Sequence, residues 1–97
     1  MVVYVVTEDW KIDSGESDIF VSVFSTFEKA LLYYEQLKKQ YEIDYSISER
    51  QDDIRYSNET INEEFGSANI VVDFEDSADY YEIDISEKEV DEYCKYC

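Results

Sequence analysis

Two short apolar runs near the start of the chain, residues 2–7 and 19–24, are rich in Val, Ile and Phe and do not alternate with polar residues. Unbroken runs of this kind are typical of strands covered on both faces. Between them, Gly15 lies in a polar segment that favours a turn. We therefore predict two neighbouring antiparallel strands in the middle of a sheet, joined by a long hairpin loop that carries Trp10.

A helical period follows. Residues 25–28 read Ser-Thr-Phe-Glu, a capping box in which the Ser25 hydroxyl accepts from the Glu28 backbone N–H and the Glu28 carboxylate accepts from the Ser25 N–H. Apolar side chains then recur at helical spacing; they are Phe27, Ala30, Leu31, Tyr34, Leu37 and Tyr41. Lys38 and Lys39 would suit the negative end of the helix dipole. The pattern predicts one main helix over about 26–40.

From residue 41 the period changes to two. Tyr41, Ile43, Tyr45 and Ile47 fall on one face and acidic or Ser residues on the other, which predicts a half-buried strand with an acidic outer face. Residues 69–74 and 80–85 predict a second strand pair. In the latter, Tyr81, Ile83 and Ile85 point inward, while Glu82 and Asp84 point outward.

Two segments give weaker patterns. Residues 49–68 are polar, with a short strand predicted at 54–56 and one or two helical turns at 58–65. Residues 86–89 form a second capping box, which predicts a short C-terminal helix. Together the elements predict a single α+β domain over residues 1–97. Its antiparallel sheet has about four to five strands, its main helix packs on one face, and the order is β-β-α-β-β-β.

The net charge of the chain limits the kinds of partner that it can bind. The chain of 97 residues has 25 Asp and Glu against 8 Lys and Arg, a net charge of −17, yet it is 44% hydrophobic and 16% aromatic. The apolar content is enough for a folded core. The negative charge repels nucleic acid and anionic membranes, so we expect no direct binding to either. Residues 1–41 carry a net −3 and residues 42–97 a net −14, so a basic partner would meet the second half of the chain.

Catalytic and metal chemistry have little support. The chain has no His, which removes the commonest general base and metal ligand. Cys94 and Cys97 have the C-x-x-C spacing of redox dithiols and zinc sites. They would, however, lie at the negative end of a helix, which does not favour a thiolate, and the chain lacks further zinc ligands. Apolar packing is therefore favoured over a shared metal, an intermolecular disulfide or redox chemistry. The acids of residues 73–79 lack the glycine and final Glu of a calcium loop. We predict no catalytic residue, no metal site and no cofactor.

The candidate partner-binding residues are carboxylates on the predicted strands and loops. Strands about 4.8 Å apart would bring Glu42, Asp44, Glu82 and Asp84 into a two-dimensional array. Asp73, Glu75, Asp76 and Asp79 would extend it, with Tyr80 as an exposed aromatic among them. This array has two interpretations: it keeps a small domain soluble, or it occupies the basic groove of a nucleic-acid-binding protein.

Three segments carry a resemblance: residues 3–7, residues 23–30 with the capped helix start, and residues 85–90. They resemble small uncharacterised proteins of bacteria and their phages over about a third of the chain, through structural motifs only. In size and charge the chain is also similar, as a class, to phage-encoded inhibitors of host defence of the anti-CRISPR and anti-restriction, DNA-mimicking type. The resemblance implies a protein of a bacterial host cell, and two Cys three residues apart without an export signal predict its reducing cytoplasm. Residues 1–9 show no positively charged leader before the apolar run, in keeping with that location.

The leading hypothesis is therefore a non-enzymatic acidic inhibitor that occupies the nucleic-acid-binding groove of a basic protein such as a CRISPR effector, and that is itself a monomer or homodimer. The first alternative is a small regulatory or structural interaction module whose acidity serves solubility. The second is a weak divalent-metal-binding protein or small carboxylate enzyme.

Overall fold

The computed structural model describes residues 2–75 and 78–89. Its elements are strand β1 (Val2–Lys11), strand β2 (Ser17–Phe24), helix α1 (Phe27–Asp44), strand β3 (Ile54–Asn62), strand β4 (Ser67–Phe74) and strand β5 (Tyr80–Glu89), with two short 3-10 turns, Ile47–Glu49 and Gln51–Asp53, before β3. The predicted α+β class is confirmed. The elements also follow one another as β-β-α-β-β-β, but the third strand is Ile54–Asn62 and not the strand predicted from residue 41.

The strands form one antiparallel sheet in the order β2-β1-β5-β4-β3. The last strand therefore lies at the centre, between the first strand and β4. Helix α1 packs on one face of the sheet, mainly over β5, β1 and β2. We call the other side of the sheet the open face, because no element among the described residues covers it.

The core lies between α1 and the sheet and follows the strand alternation. Tyr81, Ile83 and Ile85 of β5 are buried, as predicted, and every second residue of β4 is buried beside them. The helix contributes Ala30 and Tyr34, both fully buried. Glu82 and Asp84 consequently point to the open face, which confirms their predicted orientation.

The helix begins one residue later than predicted and ends four later. Thr26, in an extended conformation, is the N-cap, and its Oγ1 accepts from the Lys29 N–H at 3.2 Å. Ser25 is therefore not the cap. Phe27 packs edge-on against Tyr4, with ring centroids 5.9 Å apart, which positions the first turn. With the end at Asp44, no basic residue lies in the last turn, so the predicted interaction of Lys38 and Lys39 with the helix end is wrong.

The strand predicted after residue 41 is wrong, because α1 continues through most of it. Tyr41 and Tyr45 are four residues apart and share a helical face as well as a strand face. Tyr41 stacks on Tyr81 at 4.9 Å, and the Tyr45 hydroxyl lies 2.9 Å from the carbonyl oxygen of Lys11. Ile43, predicted to face inward, is 72% exposed. Helical packing on the sheet therefore outweighs the two-residue alternation.

The edges of the sheet also differ from prediction. β2 is an edge strand rather than a central one, and Ile19, Val21 and Val23 are 60–62% exposed. At the other edge, β3 replaces the helical turns predicted at 58–65. Trp10 lies within β1, and the hairpin loop is only residues 12–16.

At the C-terminal side, residues 86–89 continue β5, so the second capping box starts no helix. β5 pairs with β1 along its whole length, which places these residues in the sheet. The rest of the predicted C-terminal helix, with Cys94 and Cys97, lies outside the described residues.

Candidate acidic binding site

Several connections of the fold meet at one end of the sheet. β1 ends there and β2 begins, since Lys11 pairs with both Ser17 and Tyr80. β4 ends and β3 begins there as well, since Ile54 pairs with Phe74. The last turn of α1 reaches the same place, because Tyr45 contacts the carbonyl of Lys11. We call this region, residues 12–18, 42–53 and the described part of 75–79, the acidic end.

The acidic end is named for its carboxylates. They are Asp13, Glu16, Asp18, Glu42, Asp44, Glu49, Asp52, Asp53, Glu75 and Asp79. Arg50 is the only Lys or Arg in these ranges. Segments that are far apart in sequence therefore place like charges at one end of a small domain, where they repel one another.

Arg50 holds these segments together. Its Nη1 lies 2.8 Å from Asp79 Oδ2 and donates to the Tyr45 carbonyl oxygen at 3.3 Å. Its guanidinium carbon lies 4.0 Å from the ring centroid of Phe74, a cation–π contact. The other carboxylate oxygen of Asp79 accepts from the Asp13 backbone N–H at 2.8 Å. Arg50 thus joins the turn before β3 to the loop before β5, and Asp79 joins that loop to the β1–β2 loop.

The predicted site residues are only partly brought together. Glu42, Asp44, Glu75 and Asp79 meet at the acidic end, through a helix end and loops rather than through strands. Asp73 lies beside it on β4 and is ion-paired with Arg55. Asp76 lies outside the described residues. The predicted array of Glu42 and Asp44 with Glu82 and Asp84 is wrong, because the helix lies on the side of the sheet away from the latter pair.

Glu82 and Asp84 instead form a small polar cluster on the open face. The Asn69 side-chain amide donates to Glu82 Oε2 at 2.9 Å and to Asp84 Oδ1 at 3.3 Å. The Tyr80 hydroxyl donates to Glu82 Oε1 at 3.3 Å. Burial, then the nearby charges of Glu82 and Asp9, raise the pKa of Tyr80 to about 12. Asp9 is directly opposite Glu82 in the ladder, an arrangement of like charges that disfavours the sheet.

A cleft between the end of α1 and strand β1 opens at the acidic end. We call it the aromatic cleft; it has a volume of about 360 Å³ and is lined by Glu8, Trp10, Ile12, Leu37, Gln40, Tyr41, Asp44, Tyr45, Arg50 and Asp79. Its inner wall holds Glu8, which is only 8% exposed. The hydroxyl of Tyr41 donates to Glu8 Oε1 at 2.9 Å, and that of Tyr33 donates to Oε2 at 3.3 Å. Burial, followed by the hydrogen bond and charge of Glu8, raises the pKa of Tyr41 well above its usual range.

The sequence prediction missed Glu8 as a site residue because it ended the first strand at Thr7. The strand continues to Lys11, and Val6, Glu8 and Trp10 then fall on the same face by alternation. An acidic residue at an inward-facing strand position was the signal that would have found it.

The described residues contain no group of side chains that could coordinate a metal ion. Within residues 2–75 and 78–89, no group of three Asp, Glu, Cys or His side chains is placed to hold an ion. Nor is any helix described there long and apolar enough to cross a membrane.

Comparison with protein-family models, curated proteins and solved structures finds no match to this chain. Its function is therefore inferred from its residues and their geometry.

Proposed function

We propose that this chain is a non-enzymatic binding protein that holds a basic, nucleic-acid-binding protein through its acidic end. The observation that supports this most strongly is the convergence of the helix end and three loop segments. Their described residues carry ten carboxylates and one guanidinium, that of Arg50. That guanidinium is itself engaged with Asp79. Most of the negative charge at this end is therefore left for a partner.

The arrangement of the acidic end suits recognition rather than solubility alone. Charges that only maintain solubility work best when spread over the surface and mixed in sign. Here the loops that carry the acids are tied to one another: the Glu75 N–H donates to the Asp53 carbonyl at 2.7 Å, and the Ala78 N–H donates to Asp13 Oδ1 at 3.2 Å. A charged surface whose backbone is already ordered loses less entropy on binding.

A nucleic-acid-binding groove is the complement that we propose for this surface. Such grooves are lined by Lys and Arg spaced to meet phosphates. Carboxylates presented from several loops occupy many positions over a surface, whereas those on one strand face lie about 6.7 Å apart in a single row. In this proposal the chain competes with nucleic acid for its partner, as an inhibitor of the anti-CRISPR or anti-restriction class would.

The test is retention of basic proteins by the immobilised chain. We expect proteins of a bacterial lysate, enriched on heparin, to bind at low salt and to be displaced by duplex DNA. They should be released as the ionic strength passes about 0.1 M, because charges more than about 10 Å apart are then screened. The bound proteins are identified by mass spectrometry. A set with no nucleic-acid-binding member, or one that DNA does not displace, contradicts the proposal.

A matched pair of variants locates the surface. Glu49→Lys with Asp52→Lys reverses two exposed charges at the acidic end, and Glu63→Lys with Glu64→Lys reverses two exposed charges in the β3–β4 turn, at the other end of the sheet. The net charge changes equally in both. We expect the first pair to weaken retention by about tenfold or more, and the second to have a much smaller effect. Equal losses would mean that only total charge matters, and lower solubility with unchanged binding would favour the solubility alternative.

A further inference from the structure

The aromatic cleft has features of a ligand site that the proposed function does not use. We propose that it binds an organic cation, an alkylammonium or guanidinium group, beside the aromatic side chains of Trp10, Tyr41 and Tyr45 that line it and against the carboxylate of Glu8. A small cation can bind here whether or not a basic protein binds the surrounding loops.

The Glu8 carboxylate is buried without a counter-charge among the described residues. It is buried and accepts two hydrogen bonds, both from neutral tyrosine hydroxyls. No Lys or Arg of the described residues forms an ion pair with it. A buried carboxylate with no counter-charge is costly, and a cation in the cleft would offset that cost.

The second observation is the aromatic lining. Trp10 is half-buried, and the rings of Tyr41 and Tyr45 have centroids 6.0 Å apart. Leu37 and Ile12 complete an apolar wall. Aromatic side chains beside a carboxylate form an environment in which ammonium and guanidinium groups are held by cation–π and charge interactions together.

The third observation is the local field. The cleft lies at the C-terminal end of α1, which is the negative end of the helix dipole. The last turn of the helix has no basic residue to balance it and carries Asp44, which lines the cleft. Arg50 is the only base in the lining, and its Nη1 is paired with Asp79 at 2.8 Å. The helix end and the Asp44 carboxylate both favour positive charge in the cleft, while the charge of Arg50 is offset by Asp79.

The shape and chemistry of the cleft favour an organic cation over a metal ion. Its volume of about 360 Å³ is large for a bare ion. Hard metal ions require several oxygen ligands at short distance, and the described carboxylates form no such group. The same chemistry can come from a free small cation or from the Arg or Lys side chain of a protein. Only the second source rests on the proposed function.

Trp10 provides a direct measurement, because it is the only tryptophan in the chain. The protein is titrated with choline and with agmatine while tryptophan fluorescence is recorded, at constant ionic strength maintained with sodium chloride. We expect a saturable change with one of these cations and none with sodium. Absence of saturable change with both cations would overturn the proposal.

Variants separate the cleft from general attraction to a polyanion. Glu8→Gln keeps an oxygen that can accept from the tyrosine hydroxyls but removes the charge, and we expect it to weaken binding about tenfold or more, as for loss of one charge-assisted contact. Glu82→Gln removes the same charge from the open face and should leave affinity unchanged. Equal losses in the two variants would contradict a specific site.

A second variant covers the case in which Glu8→Gln disturbs folding. Gln40 is exposed at the edge of the cleft, and Gln40→Lys would place an ammonium group there without changing the core. We expect it to reduce affinity for the added cation about tenfold or more with an unchanged circular dichroism spectrum. Full retention of affinity would overturn the proposal.

The source of the cation is decided by comparing agmatine with the tripeptide Gly-Arg-Gly in the same assay. Tighter binding of the peptide identifies a protein side chain as the ligand, and tighter binding of agmatine identifies a free cation. The Glu49→Lys, Asp52→Lys variant alters no residue of the cleft lining and should still bind the cation. Loss of protein partners with cation binding retained is therefore the result expected if both proposals hold. Unchanged retention of partners in this variant would count against the proposed function alone, and loss of cation binding would count against the cleft alone.

Discussion

At the scale of single residues, tyrosine brings polar contacts into the core of this protein. Tyr34 is fully buried, yet its hydroxyl donates to Glu59 Oε2 at 2.8 Å, while Lys38 contacts the other oxygen at 2.9 Å. Burial alone would raise the pKa of Glu59, but the hydrogen bonds from Lys38 and Tyr34 outweigh it and lower that pKa. A large ring that ends in a hydroxyl can thus fill the core and still meet a carboxylate near its edge.

Glycine matters at one position for a reason that only the packing shows. Gly15 and Gly66 both have positive φ, +95° and +62°, but only Gly66 has close neighbours: an added Cβ would lie 2.7 Å from Tyr4 Cε1. We expect Gly15→Ala to cost about 1–2 kcal/mol through backbone strain, and Gly66→Ala to cost about 1–3 kcal/mol more through overpacking. Urea unfolding of both variants measures the difference. Equal costs would mean that the Tyr4 ring moves aside freely.

At the scale of elements, each helix boundary depends on contacts with the sheet. The capping box predicted Ser25 as the N-cap, but Thr26 caps the helix, and Phe27 in its first turn packs against Tyr4 of the sheet. At the other end, Tyr41 and Tyr45 extend the helix because both reach Tyr81, with ring centroids at 4.9 and 5.1 Å. Local patterns narrowed the boundaries to a few residues but did not determine them.

The capping assignment can be tested directly with a pair of neighbouring substitutions. Thr26→Ala removes the hydroxyl that accepts from the Lys29 N–H, and we expect it to lower the free energy of unfolding by about 1 kcal/mol. Ser25→Ala should change it by less than about 0.5 kcal/mol. Thermal or urea unfolding followed by circular dichroism distinguishes them. The reverse order of effects would restore the cap first predicted at Ser25.

At the scale of the whole molecule, the distribution of charge follows from topology. The antiparallel register brings the β1–β2 loop, the β4–β5 turn and the segment before β3 to one end. Repulsion between the carboxylates brought together at this end destabilises the folded state. Arg50 offsets part of the repulsion by contacting Asp79 and lying over Phe74.

Alkaline pH should unfold the domain through its buried tyrosines. Burial is the first cause that raises the pKa of Tyr45 and of Tyr81 to about 12, against about 10 in an unfolded chain. Their contribution to stability is complete below about pH 10 and is lost as pH rises toward 12, because the unfolded state releases these protons first. Each such tyrosine lowers the free energy of unfolding by about 1.4 kcal/mol per pH unit in that window.

Unfolding curves at several pH values between about 9 and 12 measure this loss. Tyr81→Phe removes one buried titrating group and should reduce the slope, whereas Tyr56→Phe, at a position that is 53% exposed, should leave it unchanged. Identical slopes for Tyr81→Phe and the unaltered protein would contradict the role assigned to burial.

The amino-acid sequence by itself determined the α+β class, the main helix and the facing of Tyr81, Ile83 and Ile85, because hydrophobic periodicity and capping act within a few residues. It could not determine that residues 41–44 extend the helix, because Tyr41 and Tyr45 share one face in a helix and also in a strand. Their contacts with the Tyr81 ring are what favour the helix. Nor could it show that Glu42 and Asp44 lie apart from Glu82 and Asp84, or that Glu8 faces a cleft with Trp10. Those relations depend on which strands pair, a matter of contacts between residues far apart in the chain, and only the tertiary structure decided them.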